Sequence, residues 1–225
     1  MTRNSTATFW SSSADKTATR ILLVRHGRVS WNAKAAYTGW TDLPLDERGE
    51  KEAMMVAKRL KNTHIGAIYA SDLNRARRTA EIIAGPHNLN VQTSKNLREI
   101  NYGEWEGLSI SDVKSNYGED VFDMWASDPV NYRIPGGETF GELRDRAAPE
   151  VERIASAHPG QTVVIVAHRS VNRVLVCHWL GLDVGRYKQI EQKNGAINSL
   201  LFNGNRVSIE TVNDVCHIEK CKVES

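Results

Sequence analysis

The chain has 225 residues, 40% of them hydrophobic and 25% charged, ordinary values for a globular protein long enough to bury its own core. A net charge of +2 is too near balance to argue for nucleic acid or a membrane surface, so any positive potential that matters must be local. Cys177, Cys216 and Cys221 form no CxxC pair and read as free thiols of a reducing compartment, and no apolar run approaches the roughly 18 residues of a membrane span.

Residues 1–19 are rich in Ser and Thr and poor in acids. They read as a disordered tail, with one domain expected over 20–225. Organelle transit segments share that composition, so import stays open beside the expected cytoplasmic location. Arg20-Ile-Leu-Leu-Val24 is a continuous apolar run, the mark of a strand buried on both faces. Between Asp46 and about Lys61, the i, i+3, i+4, i+7 spacing of Ala53, Val56, Ala57 and Leu60 predicts an amphipathic helix, with Asp46 as N-cap. A short run from Ile65 to Ala70 predicts a second strand. A helix follows, with Leu73, Ala76, Ala80 and Ile83 on one face, and a third strand is expected around Val91.

From about 104 to 135 the pattern is irregular and reads as short helices and loops passing over the strand ends. Thr139-Phe-Gly-Glu142 is a capping box that opens a further helix, which Pro149 should kink. Thr162–Ala167 (TVVIVA) is the strongest strand signal; it feeds a helix from about Ser170 to Leu180, with Gly181 as its stop. Ile197–Phe202 and Val207–Val212 read as a closing hairpin. Strands alternating with helices imply an α/β protein, a three-layer α/β/α sandwich around a mostly parallel sheet.

In such sheets ligands bind outside the carboxyl ends of the strands. His26 and His168 fall at two of those ends, joined by Arg25 and by Arg75 after the second strand. Arginine suits a phosphate dianion because its planar fork of donors stays charged. His168 and His178 are not at a metal-ligand spacing, and no metal site is expected. Trp31, Trp40, Trp105 and Trp125 could wall a pocket or pack a core.

The run Leu-Val-Arg25-His26-Gly27, followed by Trp31-Asn32, resembles the signature of the histidine phosphatase superfamily, which includes phosphoglycerate mutases and many small phosphatases. The resemblance continues through Thr38-Gly39-Trp40-x-Asp42, Ser71-x-Leu73-x-Arg75-Ala76, Leu97-x-Glu99, Gly103-x-Trp105-Glu106-Gly107, Pro135-Gly-Gly-Glu-Thr139 and Ala167-His168, in that order. It implies a nucleophile at His26 that must be neutral to attack phosphorus, its other ring nitrogen donating to a backbone carbonyl. It implies phosphoryl ligands at Arg25, Arg75 and His168, with neutral donors from Asn32 and the amides near Thr38 and Gly39. Glu99 is implied as general acid and base. No cofactor and no metal are implied.

Three departures bear on specificity. Arg28 and Val29 replace the usual polar residues after the signature, and Arg28 adds a cation expected to favour a substrate with further negative charge. The second histidine sits in Ala167-His168-Arg169 where Ser-His-Gly is usual, so Arg169 either enters the pocket as another anion ligand or points away. Mutase members carry a Lys after the general-acid block and an Arg-Arg pair on a longer insertion. Here Gly107–Ser111 has no such Lys and the insertion holds only Arg133. The expected function is a metal-independent phosphate monoester hydrolase acting through phospho-His26 on a small phosphorylated metabolite. A phosphoglycerate mutase, or a phospho-ligand binding protein without turnover, is the alternative. No nucleic-acid or membrane partner is expected, and the sequence leaves homo-oligomer formation open.

Overall fold

The computed structural model describes residues 17–219, so most of the expected tail, together with Cys221, lies outside the described residues. Its elements in chain order are β1 (Thr19–Arg25), α1 (Ser30–Ala33), α2 (Glu47–Leu60), β2 (Ala67–Ser71), α3 (Asn74–Ala84) and β3 (Val91–Ser94). They are followed by α4 (Ile110–Tyr117), α5 (Glu119–Ser127), α6 (Phe140–Ala157), β4 (Thr162–Ala167), α7 (Arg169–Trp179), β5 (Ile197–Asn203), β6 (Arg206–Asp214) and α8 (Cys216–Glu219). Short 3₁₀ segments fill several of the joints.

The six strands form one sheet in the order β3-β2-β4-β1-β5-β6. β1, β2, β3 and β4 pair in parallel, whereas β5 runs antiparallel to β1 and β6 antiparallel to β5. The mostly parallel sandwich expected from the sequence is therefore the architecture found. Every residue of β1 is buried, because side chains of alternate parity enter two different cores. Ile21 and Leu23 join Val163, Ile165, the inner face of α6 and much of α7 on one side. Leu22 and Val24 join Val164 and Val166 with the apolar stripes of α2 and α3 on the other.

Local signals set the helix ends. The Asp46 carboxylate accepts from the Gly49 N–H at 2.8 Å and caps α2. Thr139 and Glu142 exchange the two bonds of a capping box at α6, which runs unbroken through Pro149. At the end of α7, Gly181 N–H donates to His178 and Leu182 N–H to Cys177, a Schellman closure with Gly181 at φ +67°. Residues 104–135 do hold short helices, α4 and α5, and pack Val113 and Trp125 onto the α6 side of the sheet.

Two registers position the site. Arg25 is level with Ala167, so the carboxyl ends of β1 and β4 finish side by side. α2 lies on one face of the sheet and α7 on the other, which opens a crevice between the ends of β1 and β4. Val24 is level with Ile197 of the antiparallel β5, so the chain just before β5 arrives at the same place.

Candidate active site

A cavity of about 640 Å³ opens at these strand ends. Of the residues expected there, Arg25, His26, Asn32, Thr38, Gly39, Arg75, Glu99 and Arg169 line it. His168 lies directly behind the lining, fully buried, its ring centroid 5.0 Å from that of His26.

His26 follows β1 and is held at the sheet by its own N–H donating to Ala167. Its Nδ1 lies 2.6 Å from the Gly27 carbonyl oxygen. A carbonyl only accepts, so Nδ1 carries the proton and Nε2 the lone pair. Burial, then the cations of Arg75 and Arg25, hold the imidazole well below its ordinary range, outweighing the opposite pull of the Gly27 bond. His26 is a neutral base. Gly27 itself is required by backbone packing: a Cβ there would fall 2.3 Å from the Gly49 carbonyl oxygen of α2.

The two arginines are buried and anchored from behind. Arg75 Nη2 donates to Gly39 at 2.6 Å and its Nη1 to Thr41 at 2.9 Å. Arg25 Nη1 donates to the Gln192 carbonyl at 2.7 Å. Burial, and next the charge of Arg169, push Arg25 down to about 9. The Nε atoms of both guanidiniums, and both ring nitrogens of His168, are buried with no hydrogen-bond partner among the described residues. Burial first, then Arg75, His26, Arg146 and Arg25, keep His168 neutral as well. An arrangement of crowded cations and unanswered donors is costly without an anion to satisfy it.

Glu99 supplies the negative counterpart. Its Oε1 accepts from Ile100 N–H at 3.0 Å and its Oε2 from Ser170 N–H, in the first turn of α7, at 3.2 Å. Asn32 turns its Oδ1 toward the Val29 N–H and the Asn194 side-chain amide.

Arg28, expected to add a cation to the pocket, is not among the lining residues. Asp46 caps α2 with one oxygen and takes the Arg28 Nε at 2.8 Å with the other, which draws the guanidinium to the α2 end instead. Arg169 is exposed and does face the cavity, with no hydrogen bond or ion pair among the described residues. None of Trp31, Trp40, Trp105 and Trp125 lines it. Trp105 and Trp125 are core, and the aromatic wall is made by Tyr37 and Tyr102. The sequence reading also missed Gln192 and Asn194, which line the cavity from the chain before β5. Asn194-Gly195 is an ordinary turn signal, and nothing local to it points to His26.

Fold and site together define an α/β enzyme whose strand ends gather a neutral histidine, buried arginines and a carboxylate at one cavity. The chain belongs to the histidine phosphatase superfamily (branch 1), whose family model matches residues 21–215. It is 32% identical over 206 residues to phosphoserine phosphatase 1 of Hydrogenobacter thermophilus, covering 92% of this chain and 97% of that one. It is 34% identical to phosphoglycerate mutase-like protein 4 of Arabidopsis thaliana, covering 92% of this chain and 90% of the relative. Among solved structures, YhfR of Bacillus stearothermophilus superposes with a TM-score of 0.83 at 32% identity, covering 89% of this chain and 99% of that one. Family and relatives support a phosphatase enzyme.

Proposed function

We propose that this protein hydrolyses phosphate monoesters of small metabolites in two steps, through a phosphohistidine at His26 and without a metal ion. The observation that carries this reading is the 2.6 Å contact between His26 Nδ1 and the Gly27 carbonyl, which leaves Nε2 with its lone pair. In the first step Nε2 attacks phosphorus and the ester P–O bond breaks. Glu99, having taken up a proton as the substrate dianion binds beside it, gives that proton to the leaving oxygen. In the second, water attacks the phosphohistidine while Glu99 takes its proton; the P–N bond breaks, and inorganic phosphate and neutral His26 are restored. Arg25, Arg75 and His168 receive the phosphoryl oxygens and offset the charge that develops on them. These fixed donors supply the neutralisation for which a metal would otherwise be needed.

Hydrolysis is favoured over mutase chemistry by the insertion. Arg133, its only arginine, bonds Glu142 and the Gly137 carbonyl, and from residues 104–135 only Ile110 lines the cavity. Arg169 on the cavity wall supports substrates with a second negative group, such as a phosphorylated sugar acid. The test is hydrolysis of an aryl phosphate in EDTA by wild type and His26→Ala. Activity that survives chelation and vanishes in the variant is expected. Retention of activity without His26 would overturn the mechanism.

A further inference from the structure

We propose that Gln192 and Asn198 are positioning residues for phosphoryl transfer, holding the guanidinium of Arg25 through a buried amide ladder that ends on the Gln192 carbonyl. The proposal rests on the reading of Arg25 as a phosphoryl ligand.

Gln192 lies in irregular chain between the 3₁₀ segment Val184–Gln189 and β5, so no strand or helix ladder fixes its carbonyl. Its side chain does. Gln192 Nε2 donates to Asn198 Oδ1 at 2.6 Å, and Asn198 Nδ2 returns the bond to Gln192 Oε1 at 2.9 Å. Asn198 Nδ2 also donates to the Leu23 carbonyl of β1 at 2.8 Å, and Asn213 N–H fills the other acceptor site on Oδ1 at 2.9 Å. Asn172 of α7 donates to Gln192 Oε1 at 3.3 Å. All three amides are essentially buried, at 0–1% exposure.

The Leu23 carbonyl and the Asn213 N–H settle which end of the Asn198 amide is oxygen, the reciprocal pair then settles Gln192, and every polar atom of the Asn198 side chain is used. Such a network is expensive to bury unless its members are partnered, and the Gln192–Asn198 pair is held on all sides, whereas Asn172 keeps its Oδ1 without a partner among the described residues. An apolar pair would fill the space without that demand. What the amides add is a fixed address for the Gln192 backbone between β1, β5 and α7. Arg25 Nη1 uses that carbonyl at 2.7 Å. The same loop holds the rest of the segment: Gly195 N–H donates to the Arg25 carbonyl at 3.0 Å, and Asn194 Nδ2 to the His26 carbonyl at 3.1 Å.

Asn198→Asp is the sharpest probe, since it keeps the shape but sets an acceptor against Leu23 O and Gln192 Oε1. Orthovanadate affinity, measured by calorimetry, would be compared in wild type, Asn198→Asp, Arg25→Met and the double variant, with thermal melting alongside. Asn198→Asp should weaken vanadate about tenfold when Arg25 is present, and by less than about twofold when it is Met. Equal losses in both backgrounds, or no loss in a folded Asn198→Asp, would overturn the proposal. Should Asn198→Asp fail to fold, Gln192→Ala carries the same cycle with the same expected pattern. Because binding is read without turnover, a failure of the phosphohistidine mechanism would leave this result distinguishable.

Discussion

Arg146 holds the main chain of Glu99 from behind: its Nη2 donates to the Glu99 carbonyl and its Nη1 to that of Asn96, both at 2.8 Å. The same guanidinium is forked onto Glu138, whose Oε1 also accepts from Asn101 N–H at 2.9 Å. The segment carrying the proposed acid is thus pinned on both sides of Glu99 by an ion pair reaching from α6. Arg146 does not line the cavity. Arg146→Met should therefore lower kcat by about tenfold or more through misplacement of Glu99, with KM little changed. Leaving Glu138 without its partner should also cost about 1–3 kcal/mol of stability. Steady-state kinetics with an aryl phosphate, beside a thermal melt, test both. A rise in KM at constant kcat would assign Arg146 to binding instead.

Stability should fall in mild acid. His26 and His168 are held well below 6.5 in the folded protein, first by burial and then by neighbouring charge. Below about pH 6.5 the unfolded chain takes up protons that the folded chain refuses, so unfolding becomes easier as pH drops. The contribution is whole above that pH and erodes toward the folded values, at up to about 1.4 kcal/mol per histidine per pH unit. His87 and His217 are lowered too, so wild type alone does not isolate the pair. The double variant His26→Asn, His168→Asn should lose melting temperature less steeply than wild type between about pH 6.5 and 5.

Glu106 shapes the Arg75 side of the site. Its carboxylate accepts from Trp40 N–H and Thr41 N–H, each at 2.7 Å, and from the Thr41 hydroxyl at 2.6 Å. The turn so held presents the Gly39 and Thr41 carbonyls to Arg75. Gly39 sits at φ +50°, and a Cβ on it would meet Glu106 Oε1 at 1.9 Å. Glu106→Ala should loosen the turn and raise the inhibition constant of inorganic phosphate about tenfold, from the loss of about 1–2 kcal/mol of charge-assisted bonding. An unchanged constant would detach Glu106 from Arg75.

The two extra arginines should separate cleanly. Arg169→Ala should raise KM for a phosphocarboxylate severalfold, while an aryl phosphate with no second charged group is affected less. Arg28→Ala should leave both substrates unchanged and cost no more than about 1 kcal/mol in stability, since its partly exposed pair with Asp46 is of the weak kind. A specificity shift in the Arg28 variant would show that its guanidinium leaves Asp46 when substrate is bound.

Much of the frame was legible because its determinants are local. The Asp46 cap, the Thr139 box, the Gly181 stop and the all-apolar β1 and β4 each declare themselves within a few residues. His26, Arg75 and His168 were legible as site members because strand ends are where α/β folds bind. Arg28 misled because its partner Asp46 is 18 positions away and already engaged as a cap, a double use that no window displays. Gln192 and Asn194 were silent for a stronger reason. Their meaning depends on β5 pairing with β1, a contact between residues 24 and 197 that periodicity does not encode. Tyr37 and Tyr102 share the α6-side core with Trp105 and Trp125 but stand at its edge where it meets the cavity, a placement that spacing along the chain does not display.

The antiparallel strand has a consequence for synthesis. β1 leaves the ribosome well before β5, yet the backbone of Arg25 is held by Gly195 and Ala196 and its side chain by Gln192. A nascent chain that has already made His26, Arg75, Glu99 and His168 still lacks the loop that seats Arg25. Contacts of such long range form late. A chain cut before Gln192 would therefore carry His26, Arg75, Glu99 and His168 while its Arg25 lacked the carbonyl that holds it.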